Sequence, residues 1–220
     1  MQRIHLGLTK GRSRSKPSAA ARSLIEATKH LLESLSPREI TTAMVLEEAG
    51  VARNTLYLHF EDHTALLEVA LLELFVSGVR NHLELLQDSL KKSRSKNDFI
   101  KRIANVVELT QSQQRRDFRI NRCRLIAHSE RNPRFSSTLG DAQVRINEGF
   151  KTFFIALRRK GWMGKNIAPE TAAVLVQALT LGRAIDDFSS DQLSEKAWNE
   201  VFMMIITDVI LGDPSTRLVK

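Results

Sequence analysis

The sequence predicts an all-α protein, and three observations support that fold class. Apolar residues recur at spacings of three and four through most of the chain after residue 18, as one face of a helix requires. Valine, isoleucine and threonine do not alternate with polar residues over any long run, as they would in a half-buried strand. Helix-breaking groups divide the chain at seven places, and about nine helices are expected. These groups lie at Ser36-Pro37, Gly50, 91–98, Asn132-Pro133, 161–169, Ser189-Ser190 and 212–214.

The first three predicted helices are close together in the chain. They are expected at 18–35, 41–49 and 52–58. Pro37 disfavours helical backbone at the residue before it and ends the first helix. Thr41 is placed to cap the second helix, and Gly50 breaks it.

Six longer helices are expected in the rest of the chain. The fourth begins after Asp62, a suitable N-cap, and joins the N-terminal segment to the C-terminal three-quarters of the protein. The six are expected near 63–90, 99–113, 117–129, 135–160, 169–187 and 195–211.

The segment after Thr41 has the pattern of a helix-turn-helix, in which a second short helix enters the major groove of DNA. Its apolar positions are spaced to meet in one small core, and they are Val45, Ala49, Val51, Leu56 and Phe60. Polar side chains remain for the outer face of the third helix, and they are Arg53, Asn54, Thr55 and Tyr57. Arginine suits guanine and asparagine suits adenine, so this face is a candidate for reading bases.

The order and spacing of these residues resemble the tetracycline-repressor (TetR) family of bacterial regulators. The matching segments are Glu47-Glu48-Ala49-Gly50-Val51, Thr55-Leu56-Tyr57, His59-Phe60 and Leu66-Leu67, within about residues 22–70. Departures from the family pattern are Ser36, Leu46, Ala52 and His63. His63 stands where the family commonly has a lysine that resembles a phosphate clamp, and an unperturbed histidine, unlike lysine, is largely uncharged at neutral pH.

Eleven residues are expected to contact DNA on this basis. Phosphate contacts are expected from Tyr57, from His59 and from the backbone amides near Thr41 and Thr42, and these contacts would set the register of the protein on the duplex. The full set is Arg14, Lys16, Thr41, Thr42, Ala52, Arg53, Asn54, Thr55, Tyr57, His59 and His63.

The net charge of +8 is concentrated near the N-terminus, where six basic residues precede the first acid, Glu26. Such an arm attracts polyanions such as DNA, or an anionic membrane surface. A disordered, solubilising tail is the alternative. The expected organisation is a basic arm at 1–17, a helix-turn-helix domain at 18–64 and a helical ligand-binding and dimerisation domain at 65–220.

The last two helices indicate a homodimer. They are apolar on more than one face, whereas a helix packed only on its own domain needs one. One stripe of the last helix contains Trp198, Val201, Phe202, Ile205 and Val209, and another contains Met203, Ile206 and Ile210. The TetR resemblance implies a four-helix bundle between two subunits, although both helices could instead be internal to a monomer. A symmetric dimer predicts an inverted-repeat operator with half-sites ~34 Å apart or a multiple of that.

By the same resemblance, the helices between 66 and 187 enclose a pocket for a small, apolar or amphipathic effector that releases the protein from DNA. The candidate ligand-binding residues are Phe118, Arg122, Phe135, Asn147, Phe150, Phe154 and Trp162. Aromatic residues at helical spacing are often plain core, so this set is open. The stretch of arginines at 115–124 could meet an anionic ligand, but a solvated face is the favoured interpretation.

Other functions find little support in the sequence. It has no HExxH, GxSxG, GxxxxGK[ST] or GxGxxG motif, and no catalytic residue, cofactor or metal site is predicted. A single cysteine, Cys123, excludes a disulfide within one chain. No secretory signal or membrane span is evident, so a cytoplasmic protein with no membrane partner is expected. A helical small-molecule or partner-binding module without operator recognition remains the alternative to a repressor.

Overall fold

A computed structural model describes residues 17–212, and over that range the chain is all-α, which confirms the predicted fold class. The described residues form two compact units. The first contains 17–76 and 127–141, and the second contains 77–126 and 142–212. The α-helices within 17–212 are α1 Ala19–Leu31, α2 Thr42–Ala49, α3 Arg53–His59, α4 His63–Lys92, α5 Lys96–Gln111, α6 Arg116–Glu130, α7 Pro133–Arg159, α8 Pro169–Asp186 and α9 Glu195–Met204.

Helix α1 begins as predicted and ends earlier. The Ser18 side chain caps it by accepting from the Ala21 N–H at 3.1 Å. The expected end near residue 35 is wrong, because the chain tightens after Leu31 into i→i−3 turns, such as the Glu33 N–H bonding to the His30 carbonyl at 3.1 Å.

The turn between α2 and α3 follows its sequence signals. Thr41 Oγ1 caps α2 by accepting from the Met44 N–H at 3.3 Å. Gly50 then takes a left-handed conformation with φ of 63°, which a residue without a Cβ adopts without strain. The chain therefore turns sharply into α3, which has the bounds that its sequence predicts to within one residue.

The compact units do not divide at residue 64, the boundary expected from the sequence. The first half of α4 belongs to the first unit because Leu66 and Val69 are buried in its core. Segment 127–141 belongs to the same unit. There, His128 Nε2 lies 2.5 Å from Glu68 Oε1, and Asn132 Nδ2 donates to the same oxygen at 2.7 Å. Helices α4, α6 and α7 thus each contribute to both units.

A buried ion pair joins α6 to the end of α8 in the second unit. Arg119 Nε and Nη2 donate to the two carboxylate oxygens of Asp187, each at 2.7 Å, and Arg119 is only 1% exposed. The expectation of a solvated arginine face is therefore wrong at Arg119, since its partner lies 68 residues away in sequence and gives no local signal.

The C-terminal helix is less regular than predicted. Helix α9 ends at Met204 and continues as a π-helical turn over Ile205–Ile210, closed by the Leu211 N–H bonding to the Ile206 carbonyl at 2.9 Å. A short 3₁₀ segment, Gln113–Arg115, precedes α6.

Candidate DNA interface and ligand cavity

The N-terminal unit holds α3 by a small apolar core. Val45, Leu56 and Phe60 are buried, with Ala49 and Val51 packed against them, so the predicted core is confirmed. The remaining buried members come from α1, from α4 and from the segment before α2, and they are Ala21, Leu24, Ile25, Ile40, Leu66 and Val69. One side of α3 is thus anchored, which leaves the opposite side to solvent.

The outer side of α3 presents the side chains expected to read DNA. Arg53 and Asn54 are exposed, Tyr57 is 40% exposed and Thr55 is half-buried. The Arg53 guanidinium lies over the Tyr57 ring, 6.0 Å from its centroid. Ala52 is the exposed N-cap of α3 and makes no side-chain capping bond. The structure therefore brings the predicted base-reading residues onto one solvent-facing surface.

Leu58 also lies on this surface and was missed by sequence reasoning. Leu58 is 69% exposed, although leucine is usually buried. An apolar side chain on a helix in the major groove can contact the methyl group of thymine. The exposure of Leu58 could have been predicted from its position, because it follows the buried Leu56 by two residues and so falls on another face of the helix.

The expected phosphate contacts have more varied environments. Thr41 is exposed and Thr42 half-buried at the start of α2, where backbone N–H groups lack partners within the helix. His59 is half-buried and lies 3.0 Å from Ser18 Oγ through its Nε2, which ties the end of α3 to the start of α1.

His63 does not resemble a phosphate clamp. Its Nε2 is buried and has no hydrogen-bond partner among residues 17–212. Burial lowers the pKa of the ring, and Asp62 opposes that shift only partly, so the neutral form is favoured at pH 7. Its expected phosphate contact is therefore not supported. The expected contacts of Arg14 and Lys16 lie outside the described residues.

The second unit contains a cavity of about 90 Å³. Four of the seven expected ligand-binding residues line it: Phe118, Arg122, Phe150 and Phe154. Most of the other lining residues are aliphatic or aromatic and come from α4, α5, α7, α8 and the C-terminal helix. The cavity can therefore bury an apolar group.

Three of the expected ligand residues do not line this cavity. Phe135 is fully buried in the first unit, with its ring 5.2 Å from that of His128. Asn147 does not line the cavity and accepts from Gln143 Nε2 at 2.8 Å. Trp162 packs against Phe99, which does line the cavity, and the two ring centroids are 5.9 Å apart. Helical spacing marks which positions are apolar but does not state which neighbour each side chain meets.

His82 is a lining residue that sequence reasoning missed. Its ring meets Phe118 edge-on at 5.6 Å. Phe118 in turn crowds Gly78, where an added Cβ would lie 2.3 Å from Phe118 Cε2. A histidine on the apolar stripe of a long helix is by itself a weak indication of a ligand site. Gly78, one turn earlier, is a second indication, because it allows another helix to approach closely.

Helices α8 and α9 expose apolar side chains at helical spacing. Val174 and Ile185 on α8 are 53% and 82% exposed, and Val201 and Met204 on α9 are similarly open. The predicted stripes of the last helix are partly wrong, because Phe202 is buried with Ile210 rather than grouped with Val201. The expectation that this segment has both a buried and an outward apolar face agrees with the structure.

Part of the chain matches a known family of proteins. Residues 24–70 match the family described as bacterial regulatory proteins, TetR family. The nucleoid occlusion factor SlmA of Shewanella denitrificans is 28% identical over 130 residues, which cover 59% of this chain and 55% of that protein. The chain thus spans about half the length of the curated relatives it matches.

Solved structures share the fold over most of the chain. A protein from Rhodococcus assigned to the TetR family of transcriptional regulators superposes with a TM-score of 0.65 and 18% identity, over 89% of this chain and all of that one. A transcriptional regulator from Saccharomonospora viridis, solved in complex with choline, gives a TM-score of 0.61 and 17% identity over 89% and 99% of the two chains.

In the described residues, no helix is long and apolar enough to cross a bilayer. The matched family and the fold relatives are regulators rather than enzymes, as the sequence predicts. Residues 24–70 of this chain therefore match the TetR family of bacterial regulatory proteins at the helix-turn-helix, and nearly nine-tenths of the chain shares the fold of the solved structure from Rhodococcus.

Proposed function

We propose that this chain is a cytoplasmic transcriptional repressor that binds an inverted-repeat operator as a homodimer and is released by a small-molecule effector. The observation that supports DNA recognition best is the outer face of α3. Arg53, Asn54 and Tyr57 point to solvent there while Leu56 and Phe60 anchor the opposite side. Arginine and asparagine at the start of this helix can make bidentate bonds to guanine and adenine.

The exposed apolar face of α8 and α9 supports the homodimer. Ile185, Val201 and Met204 are each more than half exposed, and Phe188 after α8 is 70% exposed. A second copy of the same chain covers such a face with an identical face in a symmetric contact. Two copies of α3 then meet successive half-sites on one side of the duplex.

The cavity in the second unit supports the ligand response. It is lined mostly by apolar side chains with a few polar groups, as small-molecule sites are. A fold relative from Saccharomonospora viridis holds choline, so proteins of this fold take small organic molecules. An effector shifts the equilibrium toward the non-binding conformation only if it binds that conformation more tightly.

Selection from randomised duplexes with the full-length protein tests operator recognition. The expected result is an inverted repeat whose half-sites lie about one helical turn or a multiple of that apart. Its affinity should fall steeply with added salt, because Lys and Arg contacts to phosphates release counterions. Recovery of no consensus would contradict the repressor and favour a helical binding module without operator recognition.

A further inference from the structure

Several polar groups on the wall of the cavity are already satisfied within the protein. Thr180 Oγ1 donates to the Val176 carbonyl at 2.9 Å and accepts from Gln111 Nε2 at 3.2 Å. Gln177 Nε2 donates to the Ala173 carbonyl at 2.7 Å. These groups have no need of a ligand to complete their hydrogen bonds.

His82 differs from these groups. It is only 8% exposed, lines the cavity, and its Nε2 has no hydrogen-bond partner among the described residues. Burial, together with the nearby Arg115 guanidinium, lowers its pKa to about 4, so the ring is neutral at pH 7. A neutral imidazole has one N–H donor and one acceptor nitrogen. A buried polar atom without a partner destabilises the protein unless a ligand or an ordered water meets it.

Arg122 lies on the same wall. It follows Phe118 by one helical turn on α6, so the two side chains share a face, and the Phe118 ring contacts His82. The Arg122 Nη2 donates to Gln143 Oε1 at 3.5 Å. Burial lowers the pKa of the guanidinium, which still remains charged at neutral pH.

The charge of the cavity wall therefore has one sign. Among the described lining residues, Arg122 is the one that is permanently charged, and none is a carboxylate. Arg115, whose guanidinium lies 5.9 Å from the centroid of the Phe118 ring, adds positive potential near this wall. A partly buried cation is stabilised by an anion with hydrogen-bonding oxygens, and guanidinium matches carboxylate geometry in particular.

We propose that the cavity binds an amphipathic monocarboxylate, whose carboxylate contacts Arg122 and His82 and whose apolar body lies among the aromatic and aliphatic side chains. An alcohol could satisfy His82 but would gain no attraction between opposite charges at Arg122. An amine would be repelled by the guanidinium. The proposal rests on the proposed function, since it names the chemical class of the effector.

Calorimetric titration of the full-length protein, without DNA, tests the proposal with three probes that share an eight-carbon chain. The probes are octanoate, octan-1-ol and octylamine at pH 7.5. Octanoate should bind at least about tenfold more tightly than octan-1-ol, because hydrogen bonds to charged groups are stronger than neutral ones. Octylamine should bind most weakly.

Three variants test which residues cause the preference for octanoate over octan-1-ol. Arg122→Met should abolish the preference for octanoate over octan-1-ol and leave the affinity for octan-1-ol within about threefold, since only the neutral contacts remain. His82→Phe keeps the ring against Phe118 and should weaken octanoate binding about fivefold, the value of one hydrogen bond. Arg124→Met is the matched control, because Arg124 is exposed on the same helix.

Any one of three results would overturn the proposal of a monocarboxylate ligand. They are equal or tighter binding of octan-1-ol or octylamine by the wild type, absence of octanoate binding at millimolar concentration, or an octanoate preference that persists in Arg122→Met. Should Arg122→Met fail to fold by circular dichroism, Arg122→Lys replaces it, and a preference reduced below that of the wild type is then expected. Failed operator selection with intact octanoate binding would instead overturn the proposed DNA function alone.

Discussion

Arg53 lies on an anchored helix and is the side chain that we propose selects a base pair. Its helix is held from behind by Leu56, which is fully buried, while Arg53 itself is exposed beside Tyr57. The stacking of guanidinium on ring restricts the arginine before DNA is bound, and so reduces the entropy lost on binding. Arg53 is therefore the residue at which specificity can be tested most directly.

We expect Arg53→Ala to reduce discrimination at one base pair of each half-site by ~1 to 3 kcal/mol. Binding competition with single-base operator variants measures this. Arg159→Ala removes the same charge from an exposed position in the last turn of α7 and should leave discrimination unchanged. Lys16→Ala, in the basic arm, should weaken all sequences alike. Equal effects of Arg53→Ala and Lys16→Ala on every base pair would contradict the base-reading role.

His82 predicts a pH dependence of stability in the ligand-free protein. Its folded-state pKa of about 4 lies below the usual value of 6.5, so the unfolded chain binds more protons there between these values. Stability is therefore full above pH 6.5 and is lost as the pH falls toward 4. The loss at this residue reaches about 2 kcal/mol at pH 5, from 1.36 kcal/mol per pH unit.

Urea unfolding at pH 7.5 and pH 5 measures that loss. His82→Phe should reduce the difference between the two pH values by about 2 kcal/mol. His63, whose pKa is also lowered by burial, contributes in the same direction in both proteins and so cancels in the comparison. An unchanged difference in the variant would show that His82 is not titrating from a buried, neutral state.

At the scale of elements, close helix packing in the second unit depends on Gly78. Helix α4 approaches α6 at this point, and a Cβ on Gly78 would overlap the Phe118 ring. Gly140 on α7, by contrast, has no atom of the described chain within 4 Å of an added Cβ. The same substitution should thus have opposite effects at the two glycines.

We expect Gly78→Ala to destabilise the protein by about 1 to 3 kcal/mol, the usual cost of overpacking. Gly140→Ala should stabilise it by about 1 kcal/mol, because alanine is the better helix former where there is room. Urea unfolding of both variants provides the comparison. A stabilising Gly78→Ala would show that Phe118 moves aside freely and does not fix the cavity wall.

Helix α6 contains residues of both compact units. Phe118 and Arg122 line the cavity, and His128 on the same helix contacts Glu68 on α4 within the first unit. Glu68 is mostly buried, whereas the contact between Arg134 and Glu61 in the same unit is exposed. The contact of Glu68 with its two hydrogen-bond donors should therefore stabilise the first unit more than the exposed pair of Arg134 and Glu61 does.

If α6 transmits the effector signal, Glu68→Gln should keep ligand binding and operator binding but reduce their coupling by about 0.5 to 2 kcal/mol. Operator affinity with and without the effector measures the coupling as a ratio. Glu61→Gln is the control with the same change of charge at the exposed pair, and its ratio should equal that of the wild type. A wild-type ratio in Glu68→Gln would place the connection elsewhere.

For the whole molecule, the outward apolar face of α8 and α9 is the proposed interface between two copies of the chain. Val201→Glu places a charge on this face and should yield a monomer, because a charge buried in an apolar interface is costly. Operator affinity should fall with it, since one α3 per molecule cannot span two half-sites. Val144→Glu on α7 is the matched control at a similarly exposed valine.

Light scattering with size-exclusion chromatography measures the oligomeric state of each variant, and operator titration measures its affinity for DNA. Val144→Glu should remain dimeric and bind the operator. A dimeric Val201→Glu with intact operator binding would exclude this face as the interface.

The sequence alone determined the all-α class, the start of most helices and the polar outer face of α3 that is proposed to read DNA. These depend on local signals, such as the cap at Thr41, the glycine turn at Gly50 and the apolar spacing of Val45 and Leu56, which act within a few residues of chain. Only the tertiary structure decided that Arg119 is buried against Asp187, that residues 127–141 belong with the first unit, and that His82 rather than Phe135 faces the cavity. Those features arise where distant helices meet, and helical periodicity states which face is apolar without stating what that face will touch.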